Sequence, residues 1–400
     1  MSDSGPFFSR LLSDVFSVGK AARDVVARRI PGDDPHTITL FRGFGADGRV
    51  LVHGRALEDE GIGRADVAHS RWRNLMAMLR RIESDPLPHA VVRVRVGSTS
   101  VELTADDEGF FHRWVDASDA ERVDDEWVRI HADLITPLVR GLPVSVTGGA
   151  LDPRQRPEIL VISDVDDTVL QSNVTSFLVA VRTMLLENAR TRLPFPGIAA
   201  FYQALRSGAT GDRRNPIFYV SSSPWNLYDV ISEFLEAQGI PIGPLLLRDV
   251  DLGLDALSSS RHHVHKREMV RSILTTYPGV PAILIGDSGQ HDPEIYRDVV
   301  SEFPGRIHAV YIRNVTRHPE RSAAIQALAE EVLAAGSSLV LADDTLAAAR
   351  HAAEQGWIAR EALAGIGEEK RADEGVTEEK KSVPGTRDEG DEPGKTVVVE

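Results

Sequence analysis

Three aspartates lie within four positions in ISDVDDTV, residues 162–169, directly after an aliphatic run. Close carboxylates raise one another's pKa and cannot all ionise without compensation. Asp164 and Asp166 are two positions apart and face the same side if the chain stays extended. Asp167 is of the residue type that caps a helix or forms a turn. The stretch therefore predicts a site for a metal ion or a phosphate group.

More side chains of this chemistry follow along the chain. Ser221 follows the apolar run IFYV, Asp287 follows AILIG, Asp292 comes five residues later, and Lys266 lies on the helical segment before AILIG. Because ligands of open α/β sheets bind outside the carboxyl ends of the strands, we expect these groups to meet there. Carboxylates, a hydroxyl group, a cation and a metal ion are components of phosphoryl transfer. Carboxylate oxygens favour Mg²⁺.

Two of these assignments have alternatives. Ser222 and Ser223 adjoin Ser221 and could take its role. Asp292 directly precedes PEIYRDVV, so it could cap that helix instead of holding a metal ion.

Predicted strands and helices, which must position these groups, alternate between residue 153 and about residue 365. The continuous apolar runs ILVIS, IFYV, AILIG and HAVYI are separated by helical stretches, and SSLVLADDTLAAARHAAEQGWI predicts a further strand and helix. Strands of a parallel sheet are buried on both faces and have such continuous runs. We therefore predict an α/β domain with a parallel sheet over residues 153–365.

The preceding region, residues 36–152, has a different period. Short alternating runs such as RVLVHGRAL and AVVRVRVG are separated by turn residues, which predicts an antiparallel β-sandwich accessory domain. GFGADG in this region matches a dinucleotide-binding fingerprint, but a strand rather than a helix follows it. We therefore predict that Asp47 and Gly48 form a hairpin turn.

The two ends of the chain differ from both domains. In residues 1–35 the spacing of apolar residues predicts an amphipathic helix between Phe7 and Arg29, with apolar residues on one side and basic residues on the other. Such a helix suits packing on its own domain, and it also suits peripheral contact with a membrane. It lacks the uninterrupted apolar core of a secretory signal. Residues 366–400 are rich in Glu, Lys and Gly, which predicts a disordered acidic tail.

Composition limits which cellular compartments and which classes of partner are compatible with the chain. The 400 residues include no cysteine, which fits a reducing compartment. We therefore expect a cytoplasmic protein, and peripheral contact of the first predicted helix with a membrane is the alternative. The net charge of -15 argues against a nucleic-acid partner, because phosphate backbones need a basic face.

The motifs together resemble a known superfamily. DVDDT at 164–168, the strand-end serine, the lysine and the GD motif are similar to the four signatures of the haloacid dehalogenase (HAD) superfamily, in the expected order. FYVSSSPWNLYDVISEFL, HKREMVRSIL and ILIGDSGQHDPEIY more closely resemble the catalytic domain of the actin-patch phosphatidate phosphatase family, over roughly residues 158–318. The resemblance implies an HAD-like Rossmannoid sheet. The short segment between the first two signatures leaves room for only a minimal cap.

The resemblance also implies a role for each residue. Asp164 would be the nucleophile that forms an aspartyl-phosphate, and Asp166 would protonate the leaving oxygen and then activate water. The implied substrate is a phospholipid, phosphatidate, which is hydrolysed to diacylglycerol and phosphate. Ser221 would hydrogen-bond the phosphoryl group, and Lys266 would offset the accumulated negative charge. The Mg²⁺ ligands would be Asp287, Asp292, the Asp164 carboxylate and the Asp166 backbone carbonyl.

Three other interpretations compete with this one. An HAD phosphatase that acts on a soluble phosphomonoester or a phosphoprotein would keep the same chemistry. A phospho-acceptor receiver also clusters aspartates, a hydroxyl group and a lysine, but its lysine comes last, whereas here Asp287 follows Lys266. A non-catalytic scaffold is disfavoured because none of the four signatures is substituted.

Overall fold

The computed structural model describes residues 36–58, 85–138, 143–165, 196–248, 259–315, 318–381 and 397–399. None of the helices within these ranges is long and apolar enough to cross a membrane. The amphipathic helix predicted between residues 7 and 29, and the short segment predicted to replace a large cap, lie outside the described residues.

Eight strands form the accessory domain. They are β1 (His36–Leu40), β2 (Phe44–Ala46), β3 (Arg49–Glu58), β4 (Val91–Val96), β5 (Thr99–Thr104), β6 (Phe110–Asp116), β7 (Trp127–Thr136) and β8 (Val144–Leu151). In one antiparallel sheet β3 pairs with β1, β2 and β6, and in the other the order is β5-β4-β7-β8. Side chains of both sheets, such as Val52 and Val94, share one buried cluster. The predicted β-sandwich is confirmed.

The GFGADG stretch contains β2 and the turn that joins it to β3. Asp47 has φ of 51° and Gly48 has φ of 75°, and the flanking strands pair antiparallel with Ala46 opposite Arg49. Two consecutive positive φ values match a type I′ turn, whose twist suits a tight hairpin. The predicted hairpin turn is confirmed.

Six parallel strands form the central sheet of the second domain. They are β9 (Leu160–Asp164), β10 (Ile217–Pro224), β11 (Leu245–Arg248), β12 (Ala282–Asp287), β13 (Ile307–Arg313) and β14 (Ser338–Ala342). A short antiparallel strand, β15 (Val397–Val399), pairs with β14 at one edge. The order β11-β10-β9-β12-β13-β14 is 3-2-1-4-5-6 when the parallel strands are counted along the chain. This is the doubly wound order, whose switch point lies between β9 and β12.

Seven described helices cover the two faces of this sheet. They are α1 (Ile198–Ser207), α2 (Tyr228–Ala237), α3 (Ser259–Thr276), α4 (Asp292–Glu302), α5 (Pro319–Ala334), α6 (Thr345–Glu354) and α7 (Ala362–Lys381), with a 3₁₀ turn at Trp225–Leu227. Alternate residues of β9, such as Val161 and Ile162, enter different buried clusters. One cluster joins the sheet to α1, α2, α6 and α7, and the other joins it to α3, α4 and α5. Burial on both faces explains the continuous apolar runs.

The region from Gly365 onward differs from the predicted disordered tail. Residues 366–381 continue α7, and residues 397–399 form β15. Ile366 is buried, and two acids of α7 cap the start of α1: Ala200 donates its backbone N–H to Glu369 (3.0 Å) and Gly197 donates to Asp373 (2.9 Å). The prediction was wrong for these residues, because composition does not show that the acids satisfy the open N–H groups of another helix.

The β-sandwich packs directly on the α/β domain. The Phe41 ring stacks on Trp225 with centroids 4.3 Å apart, and Arg42 donates its backbone N–H to the Tyr228 hydroxyl group at 2.8 Å. Arg206 of α1 pairs with Glu126 of the sandwich. Apolar contact supplemented by hydrogen bonds holds the two domains together.

Candidate active site

The predicted site residues that the structure describes lie at the switch point of the parallel sheet. Asp164 ends β9 and Asp287 ends the adjacent β12. On the other side of β9, Val220 of β10 is in register with Asp164, so Ser221 follows one position beyond it. Ser221 is fully buried, and its hydroxyl oxygen accepts the backbone N–H of Ser223 at 3.0 Å. Asp166 lies outside the described residues, and its role stays a prediction.

Asp292, at the start of α4, turns back toward β12. Its Oδ2 accepts the backbone N–H of Asp287 at 3.2 Å. A side chain at Gly286 would overlap the Asp292 carboxylate, so this close approach requires glycine. His291, not Asp292, occupies the helix N-cap position. The structure therefore favours the site assignment of Asp292 over the capping alternative.

Lys266 extends from α3 into the acidic cluster. Its side chain is only 2% exposed, and its ammonium nitrogen lies 2.6 Å from Asp164 Oδ1 and donates to Asp292 Oδ1. The ammonium group thus contacts one carboxylate from β9 and another from α4. A positive charge at this position offsets the repulsion between the two buried carboxylates.

The site still carries an excess of negative charge among the described residues. Asp164, Asp287 and Asp292 each place a carboxylate oxygen within 4.8 Å of the others, and all three are buried. Burial, and next the charge of Asp164, raise the pKa of Asp292 to about 7, although Lys266 opposes the shift. Asp164 Oδ1 touches Lys266 outside hydrogen-bond geometry and accepts no hydrogen bond in the described part of the chain. Buried oxygen donors with surplus charge fit a hard divalent cation such as Mg²⁺.

The loop after β12 is held by hydrogen bonds that no sequence pattern indicated. Asp287 Oδ1 accepts the backbone N–H of Gly289 at 2.6 Å. Arg321 of α5 donates to the carbonyl oxygens of Ser288 (3.0 Å) and Gln290 (2.6 Å) and pairs with Glu294. This guanidinium group fixes the loop that carries both Asp287 and Asp292. Its partners are backbone groups and one helix acid, so no local motif could have indicated it.

A buried tyrosine supports the end of β9. Tyr202 of α1 donates its hydroxyl proton to Ser163 Oγ at 2.6 Å, and Ser163 in turn donates to the backbone carbonyl of Asp164 at 3.0 Å. Burial raises the pKa of Tyr202 to about 12, and the charge of Asp164 acts in the same direction. The hydroxyl group therefore stays protonated and helps to orient the strand end.

A cavity opens beside the acidic cluster, between the sheet edge and the helices α1 and α6. Its volume is about 510 Å³ when the space open to solvent is counted. Asp164, Asp287, Arg313 and Asp344 line its polar part, and its apolar wall includes Phe201 and Ala348. A ligand in this cavity would touch both the acids and an arginine.

Comparison with known families confirms the resemblance to the catalytic domain of the actin-patch phosphatidate phosphatase family. Residues 159–314 match the family described as "Phosphatidate phosphatase APP1, catalytic domain". The matched range contains β9 to β13, and with them Asp164, Ser221, Lys266, Asp287 and Asp292.

Two fungal proteins are similar over the same region. The chain is 30% identical over 154 residues to "Phosphatidate phosphatase APP1" of Saccharomyces cerevisiae, covering 38% of this chain and 25% of that protein. It is 28% identical over 171 residues to an uncharacterised protein of Schizosaccharomyces pombe, covering 40% of this chain and 26% of the relative. The chain thus spans about a quarter of the length of these relatives.

Likeness to solved structures is weak. A carbohydrate acetylesterase from Xanthomonas citri aligns with a TM-score of 0.27 at 11% identity, covering 69% of this chain and 68% of that one. A polysaccharide deacetylase from Bacillus cereus aligns with a TM-score of 0.17 at 11% identity, covering 70% and 81%. Scores this low carry no argument about fold or function.

Proposed function

We propose that the protein is a Mg²⁺-dependent phosphatidate phosphatase that works through an aspartyl-phosphate. The observation that carries the proposal is the convergence of Asp164, Asp287, Asp292 and Lys266, all buried, at the switch point of the parallel sheet. The match of residues 159–314 to a phosphatidate phosphatase catalytic domain supports the same chemistry.

Asp164 acts as the nucleophile in this proposal. One of its carboxylate oxygens forms a bond to phosphorus while the bond from phosphorus to the glycerol oxygen breaks. Asp166 gives its proton to that leaving oxygen. It then takes a proton from water, whose oxygen attacks phosphorus, and the carboxylate of Asp164 is released with inorganic phosphate.

The remaining residues hold the reacting groups in place. Ser221, one position beyond the residue in register with Asp164, donates its hydroxyl hydrogen to a phosphoryl oxygen. Lys266 keeps Asp164 oriented and offsets the negative charge that accumulates during transfer. Bound Mg²⁺, held by Asp164, Asp287, Asp292 and the Asp166 carbonyl, would supply charge neutralisation at the phosphoryl oxygens.

A soluble phosphomonoester or a phosphoprotein is the main alternative substrate, because it needs the same chemistry. The receiver interpretation loses support, since the doubly wound order 3-2-1-4-5-6 differs from the flavodoxin-like order 2-1-3-4-5. The lipid substrate rests on the matched family and on the printed name of the yeast relative.

The decisive experiment measures phosphate release by the full chain. Phosphatidate in mixed micelles, a sugar phosphate and a nucleotide are compared, each with Mg²⁺ and with EDTA. We expect Mg²⁺-dependent release from phosphatidate at a higher kcat/KM than from the soluble esters. Release from soluble esters alone would refute the lipid substrate.

Two variants test the mechanism. Asp164→Asn should abolish turnover, because an amide is a poor nucleophile. Asp298→Asn is the matched control, since Asp298 lies on α4 with its side chain 45% exposed and pairs with Arg297. It should keep wild-type activity. Turnover by Asp164→Asn would contradict the proposed nucleophile.

Peripheral membrane contact by residues 7–29 and a cytoplasmic location are part of the proposal. The support is the amphipathic pattern of apolar and basic residues in that segment. A flotation assay with anionic phospholipid vesicles compares the full chain with a chain that lacks the first 30 residues. Equal flotation of the two would contradict the contact.

A further inference from the structure

Arg313 ends β13, next to the acidic cluster. It is in register with Asp287 of β12, and its backbone carbonyl accepts the N–H of Ser288 at 2.8 Å. The residue is therefore anchored to the loop that carries Asp287. Its side chain is half-buried and lines the same cavity as Asp164 and Asp287.

The positive charge of Arg313 acts on Tyr202, which supports the end of β9. It lowers the pKa of Tyr202, whereas the charge of Asp164 raises it, so both charges act on the same buried hydroxyl group. That hydroxyl group is hydrogen-bonded to Ser163, the neighbour of Asp164. Arg313 and Asp164, the proposed nucleophile, thus lie on the same side of the site, where the cavity opens.

Lys266 is a poor candidate for the main contact with a phosphate. Its ammonium group already contacts Asp164 and Asp292, and it is 2% exposed. A phosphate monoester brings up to two more negative charges to a site that already holds three carboxylates. A guanidinium group suits such a ligand, because its planar array of donors matches two phosphate oxygens at once.

We propose that Arg313 binds the phosphoryl group of the substrate, and the inorganic phosphate product, from the cavity side of the cluster. The inference rests on the proposed function and adds a binding residue to it. In this arrangement Ser221 and Arg313 approach the phosphoryl group from opposite sides of Asp164, since β10 and β13 lie on opposite sides of β9.

The test compares Arg313→Gln and Arg313→Lys with the wild-type chain. Loss of a charge-assisted contact should lower kcat/KM for phosphatidate about 10- to 100-fold in Arg313→Gln. The inhibition constant for inorganic phosphate should rise by a similar factor. Arg313→Lys should recover part of both, because it keeps the charge but loses the planar pair of donors.

A control separates this role from a general charge effect. Arg350→Gln removes the same charge from an exposed position of α6, the helix whose first residues line the cavity. It should leave kcat/KM and the phosphate inhibition constant unchanged. A purely structural Arg313 would lower the melting temperature of Arg313→Gln and leave the phosphate inhibition constant as in wild type, which would overturn the inference.

Direct titration of inorganic phosphate into the Mg²⁺-loaded chain distinguishes the two proposals. If the wild-type chain hydrolyses no ester but binds phosphate in an Arg313-dependent way, the proposed function fails and the anion contact stands. If the chain is active and Arg313→Gln binds phosphate as tightly as wild type, Arg313 is not a phosphate ligand.

Discussion

Lys266 places its ammonium group against two buried carboxylates, those of Asp164 and Asp292. Lys266→Met removes the ammonium group and keeps an apolar chain of similar length. Asp164 and Asp292, both buried, then lose a positive charge that lies 2.6 Å from Asp164 Oδ1 and in hydrogen-bond contact with Asp292. Removing one partner of a buried charge pair typically costs about 3–5 kcal/mol, and because neither partner is solvent-exposed we expect that range in the absence of metal.

The loss of stability in Lys266→Met should depend on pH in a defined direction. Burial and the charge of Asp164 raise the pKa of Asp292 to about 7, above its ordinary value of 3.8, and Lys266 opposes this rise. The folded state therefore binds a proton more readily than the unfolded state, so the free energy of unfolding falls as pH increases through this range. Without Lys266 the pKa rises further and the fall extends to higher pH. The stability difference between variant and wild type should be larger at about pH 8 than at about pH 6.

Thermal unfolding in EDTA measures the effect. For a domain of 150 to 250 residues, a loss of 3–5 kcal/mol corresponds to a decrease of roughly 6 to 20 °C in melting temperature. Lys266→Met combined with Asp292→Asn should recover part of this loss, because the double variant leaves one buried carboxylate fewer without a partner.

Two results would refute this reasoning. One is a melting temperature of Lys266→Met within about 2 °C of wild type at about pH 8, which would mean that the buried carboxylates do not need the ammonium group. The other is a loss that grows as pH falls, because protonation of Asp292 should relieve it.

Three further predictions concern the metal, α7 and the domain interface. Mg²⁺ at about ten times its dissociation constant should stabilise the EDTA-treated chain by about 1.4 kcal/mol; Asp287→Asn should lose most of this shift, and an equal shift in both would contradict the site. Glu369→Ala should cost about 1 kcal/mol and speed amide hydrogen exchange in the first turn of α1, because it removes a cap. The exposed Glu368→Ala is its control, and equal exchange in the two variants would count against the cap. His53 of β3 contacts the Phe41 and Trp225 rings at the domain interface. Burial, and next the charge of His112, lower the pKa of His53 to about 3, so the unfolded state alone takes up a proton below about pH 6.5. Acidification to about pH 5.5 should therefore cost wild type about 1 kcal/mol of stability that His53→Phe does not lose, whereas the exposed His318→Phe should keep the wild-type slope.

Local patterns were sufficient to predict five of the six parallel strands and several of their ends. The runs ILVIS, IFYV, AILIG and HAVYI became β9, β10, β12 and β13, because burial on both faces requires apolar residues at successive positions. Asp47-Gly48 predicted a hairpin, because the turn needs positive φ at both residues. Asp164, Ser221 and Asp287 follow directly from these strand positions, since the carboxyl ends of parallel strands share one edge.

Contacts between distant segments could not be predicted in the same way. Arg321 and Tyr202 reach the site from α5 and α1, and no spacing in the chain relates them to Asp164 or Asp287. Arg313 directly follows the run HAVYI, so its strand position places it at the same sheet edge, but the run does not show that its side chain lines the cavity. The acids of α7 resemble a solvated tail in composition, yet two of them cap the start of α1. Glu369 is 169 residues from Ala200, whose backbone N–H it accepts.

The sequence by itself therefore determined the two domain types, the acids and serine at the strand ends, and the lysine on the helix before β12, because periodicity and strand position are local properties. Only the tertiary structure decided that Asp292 folds back under Gly286, that Lys266 lies between two carboxylates, and that Arg313 faces the same cavity as Asp164. The physical reason is that these contacts depend on how strands are ordered and helices are packed, which brings together side chains that are far apart in the chain.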